Sequence, residues 1–136
     1  MRRFQFIEHT ADTGLVAFGD SLAEAFANAA YGLFSIITDL RRVRSVVSRT
    51  VVVTADDAEG LLFEWLNHLL YLFDVEHLLL KSFDIRQFTG TSLEAVCRGE
   101  PYQPGRHRLK MGVKSATYHQ MEVDARNNRV RVIFDV

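Results

Sequence analysis

Cysteine occurs once in the 136 residues, at Cys97. A disulfide within the chain is therefore excluded, as is a zinc motif built on cysteine pairs. Proline is scarce, with two residues against ten phenylalanines, a balance that belongs to a packed chain rather than a disordered one. There is no surplus of positive charge: 16 basic residues face 17 acidic ones, for a net charge of −1. Proteins that grip RNA or DNA by counterion release usually carry such a surplus, so stable direct nucleic-acid binding is not expected. No long apolar run is present either. The longest, 61–73, contains Glu64, Asn67 and His68 and makes a poor membrane span. Polar residues interrupt the run after Met1-Arg2-Arg3, which leaves no signal-peptide pattern. These absences point to a soluble cytoplasmic protein without a membrane partner.

What is present suits one ordinary domain, 1–136, that is 48% hydrophobic. Phe4 and Phe6, then 15–18, read as two short strands joined by a loop over 9–14, in which Gly14 is free to take a positive φ. Ser21-Leu22-Ala23-Glu24 has the capping-box pattern of a helix start. Leu22, Phe26, Ala29, Ala30, Leu33, Phe34 and Ile37 then recur at helical spacing. Burying each Phe or Leu of that stripe is worth roughly 1.5–3 kcal/mol. The basic cluster Arg41-Arg42-Val43-Arg44 suits a solvated helix C-terminus, where positive charge complements the dipole; contact with RNA is the alternative.

The β-branched stretch 46–54 predicts a strand. Asp56 or Asp57 then caps a second helix running to about Phe73, with Leu62, Trp65, Leu66, Leu69 and Phe73 on one face. Strands are expected over 78–85, 93–97, 109–114 and 118–123, with a loop over 99–105 and a turn at Asn127-Asn128. In the last strand, Val130, Val132, Phe134 and Val136 alternate with Arg129, Arg131 and Asp135. The sum is about seven strands and two helices. This is an α+β fold: a mostly antiparallel β-sheet with two α-helices packed on it.

A nucleophile is hard to find. Cys97 sits in an apolar strand pattern and packs as a small hydrophobe. Neither a nucleophile-elbow glycine pattern nor a glycine-rich phosphate loop occurs. Among the five histidines no two are spaced i, i+4, so a zincin-type helix is excluded. Oxygen ligands are more promising. Asp12 follows His9-Thr10-Ala11 near the start, and Asp135-Val136 stands at the other end. If the two ends meet, Asp12, Asp135 and the carboxylate of Val136 converge. Such like charges repel unless a cation lies among them, and an all-oxygen set selects calcium or magnesium over zinc. The competing reading makes Asp12 a turn residue and Asp135 a solvent-facing charge.

Several stretches, in order along the chain, resemble the archease family. They are His9-Thr10-Ala11-Asp12, Ser21-Leu22-Ala23-Glu24-Ala25-Phe26, Glu64-Trp65-Leu66-Asn67, Leu69-Leu70-Tyr71-Leu72-Phe73, Gly99-Glu100-Pro101, Arg106-His107, Val113-Lys114, Thr117-Tyr118-His119 and Asp135-Val136. Thr13 and Ser115 depart mildly from the family pattern, without removing an oxygen ligand or the lysine. The resemblance implies an archease-like α+β fold and a protein cofactor, not an enzyme. Archease activates the RtcB-type RNA ligase of tRNA splicing by promoting its guanylylation and repeated turnover. The resemblance also implies a divalent metal on Asp12, Asp135 and the Val136 carboxylate, and a ligase-activating lysine at Lys114. His9 and His119 match motif histidines of the family. Two other readings stand beside this one: a chaperone-like interaction module, and a stand-alone metal-dependent phosphoesterase using the carboxylates with Lys114.

Overall fold

Ser21 starts the first helix as its sequence requires. Its hydroxyl accepts from the N–H of Glu24 at 3.1 Å, while the Glu24 carboxylate accepts from the N–H of Asp20 at 2.9 Å. The computed structural model describes residues 2–7 and 13–136. Among these residues the chain order is β1 (Phe4–Phe6), β2 (Thr13–Phe18), α1 (Leu22–Ile37), β3 (Val47–Thr54), α2 (Ala58–Glu76), β4 (Leu78–Phe88), β5 (Ser92–Pro101), β6 (Ser115–Asp124) and β7 (Arg129–Asp135). Every pairing between these strands is antiparallel.

The α+β class with two helices is thus what the chain adopts, but its strands divide into two sheets. One has the order β1-β2-β7-β6 and the other β3-β5-β4. The helices lie between them: α1 packs on β2 and on β4, and α2 packs on β6 and on β3, β4 and β5. A helix covered on two sides needs more than one apolar stripe. Accordingly Leu61, Leu70 and Leu72 are buried in α2 along with Leu62, Trp65, Leu66 and Leu69. The Trp65 indole N–H donates to the Phe26 carbonyl at 3.0 Å, tying the helices together.

Several boundaries differ from the sequence reading for local reasons. Of the two aspartates offered as caps, Asp57 serves, accepting from the N–H of Gly60 at 2.7 Å. Helix α2 runs on to Glu76 and ends at His77, which is left-handed at φ 58. The basic cluster is not the end of α1. That helix stops at Ile37, and Asp39 then caps a single 3₁₀ turn over Leu40–Arg42. Strand β5 continues through Gly99, Glu100 and Pro101, so the expected loop begins later. No strand forms over 109–114; its ties are a lone bridge from Leu109 to Thr38 and bonds from the N–H groups of Lys110 and Lys114 to Ile37 and Asp135.

Gly14 does not turn the chain. It lies within β2 opposite Ile133, and its φ is not positive. A Cβ there would come within 2.7 Å of the Ile133 side chain and the Val132 carbonyl. Close packing therefore requires this glycine, and it lets Ile133 be buried on the face of β7 opposite Val130, Val132 and Phe134. Val136, expected among the buried residues, is 45% exposed, because β7 ends one residue before it.

Candidate functional site

β7 is an inner strand of its sheet, flanked by β2 and β6. At its far end Phe134 pairs with Thr13 on one side and Ala116 on the other, and Asp135 pairs with Ser115. The two ends of the sequence therefore meet: the residue that follows Asp12 lies opposite the residue that precedes Asp135. Asp12 itself, with His9, lies outside the described residues.

Lys114 comes to the same rim through its backbone. Its N–H donates to the Asp135 carbonyl at 2.7 Å. Val113 and Ala116 on either side are buried, while Lys114 is exposed. Fixed neighbours with an exposed side chain place a cation at the strand end that carries Asp135 and Val136, both also exposed.

The anchor of this segment comes from α2. β6 is an edge strand, so alternate backbone groups face away from its partner and need other bonds. At Ala116 the Asn67 side chain provides both: Oδ1 accepts from the Ala116 N–H at 2.8 Å, and Nδ2 donates to the Ala116 carbonyl at 3.3 Å. One residue on, the Thr117 hydroxyl donates to the Ile133 carbonyl at 2.8 Å. Sequence reasoning missed the role of Asn67. It stood only as the last residue of the stretch Glu64-Trp65-Leu66-Asn67, with nothing local to mark its role.

His119 is placed apart from this rim. Between Thr117 and Glu122 the β6–β7 register slips, and Gln120 takes φ 52. His119 is exposed within that bulge and makes no hydrogen bond among the described residues, while neighbouring Tyr118 stacks on Phe63 with rings 4.2 Å apart. Of the named site residues, the fold thus gathers Lys114, Asp135 and Val136 at one rim and leaves His119 further along β6.

Among the described residues no group of three His, Cys, Asp or Glu is placed to hold a metal ion. The carboxylate of Asp135 at this rim is an oxygen donor suited to a hard divalent cation. Cys97 is fully buried, and burial pushes its thiol up to about 12. It stays a neutral thiol, as a packed hydrophobe should.

A second polar cluster joins Glu100, Arg106 and His107, residues that carried the family resemblance without an assigned role. The Glu100 carboxylate is only 3% exposed. It accepts from both terminal nitrogens of Arg106, from the Arg44 N–H at 2.7 Å and from His107 Nε2 at 3.0 Å. His107 Nδ1 accepts from the Gln103 N–H at 2.9 Å, which leaves the ring proton on Nε2 to face Glu100. The Arg106 guanidinium, aided by the Arg44 N–H and His107, holds the Glu100 carboxyl down at about 2 against the cost of burial. The cluster locks the turn after β5 onto the loop after α1.

The chain matches the model of the archease protein family over residues 4–136. A protein archease of Methanosarcina acetivorans is 37% identical, with 99% of this chain and 97% of the relative aligned. One of Sulfurisphaera tokodaii is 36% identical, with 100% and 99% aligned. Among solved structures, protein 1598 of Methanobacterium thermoautotrophicum superposes with a TM-score of 0.79 at 33% identity over the full length of both chains. An archease of Thermotoga maritima, described as a possible chaperone, superposes with a TM-score of 0.56 at 20% identity, covering 100% of this chain and 98% of that one, and bears on the fold alone. No helix among the described residues is long and apolar enough to cross a membrane.

Proposed function

Because this chain belongs to the archease family, we propose that it is a protein cofactor of an RtcB-type RNA ligase, promoting guanylylation of the ligase and its repeated turnover. The observation that carries this reading is the union of Lys114 and Asp135 at one rim, where the backbone of one holds the backbone of the other at 2.7 Å. In this reading the rim is the working end. Asp12, Asp135 and the carboxylate of Val136 hold a divalent cation, calcium or magnesium. When bound, that cation supplies positive charge beside the ligase's own metals. Lys114 supplies a further fixed cation, which stabilises phosphate charge as guanylyl transfer proceeds. His119, further along β6, gives the ligase a second point of contact, and His9 matches the family's other motif histidine. The protein needs no nucleophile of its own, since the covalent chemistry belongs to the ligase.

The direct test is the covalent step. Ligase is incubated with GTP, with and without the protein, and guanylylated ligase is measured. Faster formation with the protein, lost with Lys114→Ala, supports the proposal. An identical rate with and without the protein sinks it.

A chaperone-like interaction module is the second reading. Exposed Tyr71 and Val75 on α2 and Val52 on β3 favour it. Its mark would be suppression of aggregation that Lys114→Ala leaves unchanged.

A further inference from the structure

The net charge of −1 conceals an uneven distribution. The segments 38–44 and 104–110 lie side by side, held by the Thr38–Leu109 bridge, by the Thr38 hydroxyl donating to the Arg108 carbonyl at 2.7 Å, and by Arg42 Nε donating to the Arg106 carbonyl at 3.3 Å. Together they present Arg41, Arg42, Arg44, Arg106, Arg108 and Lys110. Arg42, Arg106, Arg108 and Lys110 line one cavity of about 410 Å³, and Arg41, Arg42, Arg44 and Arg106 line an adjoining one of about 230 Å³. Among the described residues only two carboxylates answer them, Asp39 on Arg41 and Glu100 on Arg106. Six cations less two carboxylates leave +4 on this face, so the rest of the chain carries −5.

The chemistry of the lining narrows the partner. Five of the six cations are arginine, whose planar fork matches phosphate oxygens better than an ammonium does. The core of a protein–protein interface needs aromatic or aliphatic anchors. Here the two cavities offer no apolar side chain except Pro104. The ties between the two segments, including the buried Glu100, fix the two backbones and the side chains of Arg41, Arg42 and Arg106 before any ligand arrives.

We infer that this face holds the phosphodiester backbone of a nucleic-acid strand. Contact is to the backbone and not to bases, because no exposed aromatic side chain lines either cavity for stacking. The −5 on the rest of the chain keeps the contact weak and sensitive to salt, in keeping with the absence of stable nucleic-acid binding expected from the overall charge. The inference stands apart from the ligase reading and is tested without the ligase.

The experiment is fluorescence anisotropy of labelled single-stranded RNA and DNA of one sequence, about 12 nucleotides long, titrated with the whole protein at about 50 mM salt. Saturable binding is expected. With about three phosphates neutralised, raising salt to about 200 mM should weaken binding about 20-fold. The strand type that binds more tightly names the source of the phosphodiester. Arg44→Glu with Arg108→Glu should abolish binding, whereas Arg44→Lys with Arg108→Lys should retain most of it. Neither side chain makes a hydrogen bond among the described residues, and the melting temperature of each variant confirms that it folds. Absence of binding at low salt would overturn the inference, as would binding that survives both charge reversals. Polyglutamate of equal charge competing as well as RNA would assign the face to an acidic protein instead.

Discussion

The N–H of Lys114 donates to the carbonyl of Asp135, so the two residues on which the proposed activity depends are held by one backbone bond. Side-chain substitutions at either position leave that bond in place. The rim can therefore be stripped of its charges without being taken apart.

Its support can be removed separately. Asn67→Ala takes away both partners of Ala116 on the edge of the sheet, which should cost about 1–3 kcal/mol. Ligase activation should fall as well, because the segment that carries Lys114 loses its anchor. Denaturant melts beside guanylylation rates check this; a variant with lower stability and unchanged activation would show that Lys114 needs no anchor from α2.

Calcium or magnesium should raise the melting temperature. Occupancy at about a hundred times the dissociation constant adds about 2.7 kcal/mol. Asp135→Asn should remove most of that gain, and so should one residue added after Val136, which displaces the terminal carboxylate. A gain untouched by the added residue would remove Val136 from the ligand set.

Acid should act through Glu100. Its carboxyl sits at about 2 in the folded protein against an ordinary 4.5. A lowered carboxyl contributes stability that is complete above 4.5 and is lost as pH falls from there towards 2. The shift corresponds to about 3 kcal/mol. Glu100→Gln should lower stability at neutral pH and flatten the acid limb over that window; urea melts at stepped pH would read both effects.

His77 closes α2 in the left-handed conformation at φ 58, which costs a residue with a Cβ about 1–2 kcal/mol. The bond it accepts from the Tyr102 N–H uses its backbone carbonyl. His77→Gly should therefore stabilise the protein by up to about 1 kcal/mol, visible as a higher melting temperature. A drop would show that the imidazole contributes packing.

Local patterns in the chain were easiest to read where one face decides the element. The Ser21 cap, the α1 stripe and the alternation of Val130, Val132 and Phe134 need only neighbours in sequence. The division into two sheets was not legible, because it depends on which strands pair across long separations. Burial of Ile133 was hidden for a similar reason: it needs Gly14, more than a hundred residues away, to leave room. The stretch 109–114 looks like a strand by composition but pairs only through a lone bridge from Leu109 to Thr38. Lys114, Asp135 and Val136 could be named from family resemblance, while their meeting at one rim follows from the β6–β7 register, which sets Ser115 opposite Asp135. Arg41, Arg42 and Arg44 were visible as a basic cluster, but their union with Arg106, Arg108 and Lys110, like the role of Asn67, depends on tertiary contacts that no local pattern encodes.

The most direct test of the central claim is ligation with RNA in large excess over the RtcB-type ligase, with and without this protein. The account predicts that product stalls near one equivalent of ligase alone and keeps accumulating with the protein. Lys114→Ala and Asp135→Asn, both folded, should return it to the stalled level. Turnover that is the same with and without the protein would contradict the account.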